Sequence, residues 1–192
     1  MKLFLKGTRC DTPKCSFERR EAPPGMTTGR RSKATEYAAH LREKQKVKRY
    51  YGVLERQFRN YFHQAERTKG HTGDALMVLL ERRLDNIIAR LGLAQSRAQA
   101  RIMVSHCHVT VNGRKVNIPS YLVRAGDVIR IKARPKSQTL AQANKAAHTR
   151  QLPEFLSLAE GPELEAHVLR MPEPADVSIP VQTQLIVELC SK

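Results

Sequence analysis

The stretch SRAQARIMVSHCHVTVNGRKVNI, Ser96–Ile118, decides the fold. It opens as a helix and closes as a hairpin. Ser96 followed by Gln99 forms a capping box, in which the serine hydroxyl accepts from the Gln99 amide and the glutamine side chain reaches back. In the helix that follows, Arg97 and Arg101 fall one turn apart on one side, and Ala98 and Ile102 supply the apolar side. His106 and His108 end it. Val109 and Val111 then alternate into Asn112-Gly113, the strongest short hairpin signal, with Val116 and Ile118 on the return strand. A further strand, Val128–Lys132, follows the Gly126-Asp127 turn.

On the N-terminal side, HTGDALMVLLERRLDNIIARLGL (His71–Leu93) is a helical stretch. Its apolar stripe is Leu76, Leu79, Leu80, Leu84, Ile87, Ile88 and Leu91, and Gly92 terminates it. Away from the stripe, Arg83, Asn86 and Arg90 recur at i, i+3 and i+7. Farther back, Tyr37, Leu41, Tyr51, Leu54, Phe58, Tyr61, Phe62 and Ala65 make an amphipathic helical pattern interrupted near Gly52. Residues 1–35, with their Pro, Gly, Cys and basic residues, read as an irregular arm. Downstream, Ala133–Arg150 reads as linker or helix. PEFLSL, a Pro-punctuated acidic segment and the terminal LIVELCSK complete the chain, and the apolar LIVEL must pack on something.

Charge narrows the function. The 192 residues hold 34 Lys and Arg against 18 Asp and Glu, a net of +16, which calls for a polyanionic partner. From Leu152 to Lys192 there are seven acidic and two basic residues, a net of −5, so residues 1–151 carry +16 + 5 = +21. Between Arg30 and Arg59 ten Lys or Arg face three Glu. That excess is too one-sided for salt-bridge lacing and marks Arg42, Lys44, Lys46, Lys48, Arg49, Arg56 and Arg59 as a phosphate-binding face. With aromatics at 5% and no Trp, the core is expected to be aliphatic and divided. No apolar run approaches the roughly 20 residues of a membrane span, and a cytoplasmic location is expected.

The central segment is therefore a compact α–α–β-hairpin unit in which Arg83, Arg90, Arg97 and Arg101 are expected to meet phosphates. Arg114 and Lys115 lie beside them at the Asn112-Gly113 turn, and the Ser96 helix start adds a weaker anion site. Such a surface suits a structured RNA read by shape and backbone. His106-Cys107-His108 reads as polar or phosphate-facing rather than as a metal site. Asp85 reads as an ion-pair partner of a neighbouring base such as Arg82, not as a catalytic carboxylate. Neither a G-x-G-x-x-G loop nor a nucleophile–base pair stands out, so no enzyme and no cofactor are expected.

RLDNIIARLG, SRAQAR, HVTVNGRKVN and PSYLVRAGDVI together resemble the S4 RNA-binding module. LFLKG, C-x4-C at Cys10–Cys15, REKQKVKRYYGVLERQFRNYF at Arg42–Phe62 and the terminal LIVELCSK extend the resemblance to the bacterial small-subunit ribosomal protein S4 family. The resemblance implies an α+β fold: a helical domain formed by the N- and C-terminal segments, with the module inserted on a small antiparallel sheet. Its divisions would be 1–81, 82–149 and 150–192. It also implies direct binding of the 5′-domain junction of 16S rRNA, nucleation of the subunit body, S5 as a neighbour, and a role in translational accuracy shared with S12. Ser96, Gln99, His106 and Asn112 join the basic residues as expected RNA contacts. The alternative is a free RNA chaperone of the heat-shock type built on the same module, which would not need the Arg42–Phe62 block.

Three features depart from the family pattern. PPGMTTG stands for a commoner PPGQHG, and Cys107 stands where Gly is frequent. Cys10 and Cys15 form half of the zinc site that some members carry, without the C-x2-C that would precede it, so tight zinc binding is not expected.

Overall fold

The computed structural model describes residues 1–20, 22, 25, 35–148, 151–159 and 164–191. The basic stretch GRRSK at 29–33, and all of PPGMTTG except Gly25, lie outside the described residues.

Among the described residues the arm is partly regular, with a 3-10 turn at Gly7–Asp11 and a short helix α1 at Ser16–Arg19. Helix α2 (Glu36–Tyr51) starts at Thr35, whose hydroxyl accepts from the Ala38 amide, and ends at Gly52, held at φ +65°. That left-handed cap is open to glycine at no steric cost, and it turns the chain into α3 (Glu55–Glu66).

The stretch read as one helix from His71 is two. Helix α4 (Thr72–Glu81) stops at Arg82, and α5 (Leu84–Arg90) starts afresh. Between them the backbone is extended and pairs with a loop some forty residues away. Val123 donates to the Arg82 carbonyl at 3.0 Å, and Leu84 donates to the Tyr121 carbonyl at 2.9 Å. Helix α6 (Arg97–Ser105) has the expected Ser96 cap. In the reciprocal bond Gln99 Oε1 accepts from the Gln95 amide, one residue before the expected donor, the Ser96 amide. Its buried side is Ala100, Met103 and Val104, whereas Ala98 and Ile102, the expected apolar side, are exposed.

Strands β1 (Val109–Val111) and β2 (Arg114–Lys115) form the hairpin, with Val111 opposite Arg114. Asn112 and Gly113 take φ +50° and +76°, as a two-residue primed turn requires. The return strand is shorter than expected, for Ile118 is exposed beyond it. Cys107 lies at φ +60°, a left-handed conformation that explains why glycine suits that position.

Three more strands complete one antiparallel sheet of order β2-β1-β3-β5-β4, with β3 at Val128–Ile131, β4 at Leu156–Leu158 and β5 at Glu165–Val168. Helix α7 (Pro135–Ala146) occupies the stretch left open between linker and helix, and Pro135 begins it where a missing amide costs nothing. Helix α8 (Thr183–Cys190) carries the LIVEL run onto α2 and α4.

The core is divided, as composition implied. One cluster joins Ile87, Ile88, Met103, Val104, Val109, Ile129, Phe155, Leu156, Ala166 and Val168, and is nearly all aliphatic. The other is aromatic-rich, gathering Tyr50, Tyr51, Phe58, Tyr61 and Phe62 with Leu76, Leu80, Ile179 and Ile186. The expectation that 150–192 returns as a whole to the helical part needs correction. Phe155, Leu156, Leu164, Ala166 and Val168 pack in the sheet cluster, and the side chains on the helical cluster come from Val177 onward. The reason is the sheet itself: β5 covers the open edge of β3 and satisfies its backbone groups.

Candidate nucleic-acid interface

The residues expected to contact RNA divide into those turned inward and those left on the surface. Arg83 is fully buried. Its Nε and Nη2 donate to the two Asp85 oxygens at 3.0 and 2.6 Å, and its Nη1 donates to the Tyr61 hydroxyl at 3.0 Å. A guanidinium so enclosed, with three of its five donors already used inside, is out of reach of a phosphate. Asp85 thus pairs with Arg83 rather than Arg82, whose Nε donates instead to the Val123 carbonyl. The residue sits away from the apolar stripe, as the periodicity says, but α3 and the 119–123 loop cover that side.

Lys44 is buried too, and its ammonium joins that of Lys48 on the two oxygens of Glu55. Lys46 donates to Glu43 and to the Pro180 carbonyl. Arg90 donates to the Asp176 carbonyl and lies 3.4 Å from Glu81. Arg97 donates to Asn86 Oδ1 at 2.8 Å while its guanidinium stacks 3.8 Å over the Tyr50 ring. The expected row of arginines facing phosphate is therefore mostly a set of internal fasteners. Ser96, Gln99 and Asn112 are also engaged inside the chain. Ser96 and Gln99 consume the Gln99 and Gln95 amides, and Asn112 donates to Asp127 and accepts from the Val128 amide. The helix start thus keeps little of its expected capacity for an anion.

What stays outside is a smaller set. Arg42, Arg49 and Arg56 on α2 and α3 are exposed, with no ion pair among the described residues, and so are Arg114 and Lys115 on the hairpin. Arg42, Lys46 and Arg49 line one shallow groove of about 300 Å³ with Glu43 and Gln45. Arg59 remains 68% exposed although its Nε reaches Glu55. Arg101 is half-exposed, 3.9 Å from Asp85, and His106 is exposed at the end of α6. Position in the sequence did not single out Arg67 and Lys69 after α3, Arg124 in the loop before β3, or Arg134, Lys136 and Lys145 along α7, all exposed. For α7 the missing signal was the helix itself.

Glu55 organises the α2–α3 cations. Burial pushes its carboxyl upward, but hydrogen bonds from Lys44, Lys48 and Arg59 outweigh that and hold it at about 2 against an ordinary 4.5. A depressed folded-state pKa adds stability that is complete above about pH 4.5 and is lost as pH falls through about 2. Acid titration of stability should therefore show a steeper loss across that window in the native protein than in Glu55→Gln, because the variant lacks the titrating group. Identical acid profiles would refute the assignment.

Cys10 and Cys15 are both buried, and the Cys10 sulfur accepts the Lys6 amide at 3.3 Å. Among the described residues no three His, Cys, Asp or Glu side chains are grouped to hold a metal.

A family model described as Ribosomal protein S4/S9 N-terminal domain matches residues 1–81, and one described as S4 domain matches residues 82–129. The chain is 53% identical over 193 aligned positions to the small ribosomal subunit protein uS4 of Thermodesulfovibrio yellowstonii, covering all of this chain and 92% of that one. It is similarly 53% identical to the uS4 protein of Caldicellulosiruptor bescii and 51% identical to that of Geobacter sulfurreducens, in each case over the whole of this chain and 92% of the relative.

Proposed function

Because the chain belongs to the small ribosomal subunit protein uS4 family, we propose that it is a structural component of that subunit and binds its RNA directly. The observation that carries the reading is the outward set Arg42, Arg49, Arg56, Arg114 and Lys115, which no carboxylate among the described residues neutralises. Cations left free on rigid helices and a tight hairpin meet a phosphate backbone without first breaking an internal ion pair. The finer reading is that the ligand is the 5′-domain junction of 16S rRNA, that binding nucleates the subunit body, and that S5 is a neighbour. A contribution to translational accuracy with S12, in a cytoplasmic ribosome, completes it. No reaction and no cofactor are assigned to the chain. The match of the N-terminal family model to residues 1–81 supports the ribosomal reading over a free chaperone, which would not need that block.

The test is an equilibrium titration of the full chain with a transcript of the 16S 5′ domain, run against an unrelated structured RNA at several salt concentrations. Six or more phosphate contacts should weaken binding by about a thousandfold between 50 and 200 mM salt, with the 5′ domain preferred throughout. An affinity indifferent to salt, or equal for both RNAs, overturns the reading.

A further inference from the structure

A closed ring of side chains joins the two cores. Glu81, fully buried at the end of α4, accepts from the Tyr51 hydroxyl on one oxygen and from Asn86 Nδ2 on the other, each at 2.6 Å. Asn86 in turn accepts from Arg97 Nε at 2.8 Å, and the Arg97 guanidinium lies over Tyr50, next to Tyr51 where the ring began. Tyr50 and Tyr51 belong to the helical cluster, whereas α5 and α6, which bear Asn86 and Arg97, pack in the sheet cluster. The ring therefore crosses between the two cores twice. Burial, then Glu81, pushes the Tyr51 hydroxyl well above its ordinary pKa, so it remains a donor.

The chemistry of each link is specific. A carboxylate needs a donor and a guanidinium needs an acceptor, and Asn86 supplies one to each side from a single amide. Aspartate at that position would set two carboxylates face to face, and leucine would leave both neighbours unsatisfied. Further ties, among them Arg83 to Tyr61 and Arg90 to Glu81, run between the same halves. Loss of the ring would loosen the junction without parting it.

We infer that Glu81, Asn86 and Arg97 are positioning residues for RNA binding, a ring that fixes the sheet-bearing half on the helical half so that Arg42 and Arg49 meet the same RNA as Arg114 and Lys115. Given the RNA-binding reading, Arg97 acts on affinity through this junction and not through a phosphate. A loosened junction leaves only a fraction of molecules in the docking orientation, and the apparent dissociation constant rises by the inverse of that fraction.

The experiment compares native protein with Asn86→Asp by two measurements, at a temperature where circular dichroism shows both fully folded. Residual dipolar couplings should fit one alignment tensor for the native chain and require two for the variant. Affinity for the 16S 5′-domain transcript should fall about tenfold if about one molecule in ten holds the docking orientation. The slope of log affinity against log salt should stay unchanged, since no phosphate contact is removed. Arg97→Met keeps an apolar stem over Tyr50 and removes the donors, so it carries the same test should Asn86→Asp not fold. A single tensor with unchanged affinity overturns the inference, and so does a slope that drops by about one in Arg97→Met. The native titration separately judges the RNA-binding reading: native protein that does not bind the transcript sinks that reading, whereas binding by native and variant alike sinks only this one.

Discussion

Arg83→Ala should cost about 3–5 kcal/mol of stability, the usual loss when one member of a buried ion pair is removed. The variant keeps Asp85, which is nearly as buried as its partner and would then face, among the described residues, no cation except the half-exposed Arg101 at 3.9 Å. The Tyr61 hydroxyl also loses the neighbour that donates to it. For a chain of this size each kcal/mol is worth roughly 2–4 °C in Tm, so a fall of about 10 °C is expected. The double variant Arg83→Met, Asp85→Leu removes both charges and should be less destabilised than the single one, because no uncompensated carboxylate remains. Urea unfolding of the three proteins checks this. A loss below about 0.5 kcal/mol in Arg83→Ala, within the range of ordinary surface substitutions, would mean that the guanidinium is not held in a buried pair and would reopen the phosphate-facing expectation.

Arg83 also shows where reading the sequence stops. The stripe from Leu76 to Leu91 keeps helical spacing across Arg82 and Arg83, so nothing local announces a break. The break comes from residues 119–123, whose backbone takes the amides and carbonyls that a continuous helix would have used. Distant strands are equally silent. β4 lies in PEFLSL and β5 in the acidic segment beyond it; β5 is a strand because β3 offers it an edge, and β4 because β5 does in turn. Local chemistry, by contrast, was legible: the Ser96 cap, the Asn112-Gly113 turn and the Gly52 interruption each depend on a few adjacent residues. The basic face was legible as a total charge but not as a surface. Whether an arginine meets solvent or a carboxylate depends on partners such as Glu55, Glu81 and Asp85, which only the packing brings near.

The outward cations should account for most of the RNA affinity. Replacing Arg42, Arg49, Arg114 and Lys115 together by Ala should weaken binding to the 16S 5′ domain by about a thousandfold, taking about 1 kcal/mol for each charge–phosphate contact. The salt slope should shrink by about three to four, near 0.9 for each phosphate released. The fold should persist. All four side chains are exposed without internal ion pairs among the described residues, and Ala is a strong helix former at the two α2 positions. This separates two kinds of arginine that look alike in the sequence. Removing a surface arginine lowers both affinity and slope and leaves Tm nearly constant. Removing Arg83 lowers Tm, and loosening the Arg97 ring lowers affinity at constant slope. If the fourfold variant kept its slope, the phosphates would have to be met by other cations, with Arg124, Arg134, Lys136 and Lys145 next in line because they too are exposed. Such a result would move the interface to the loop before β3 and to α7, and off the helical face on which the sequence concentrates its charge.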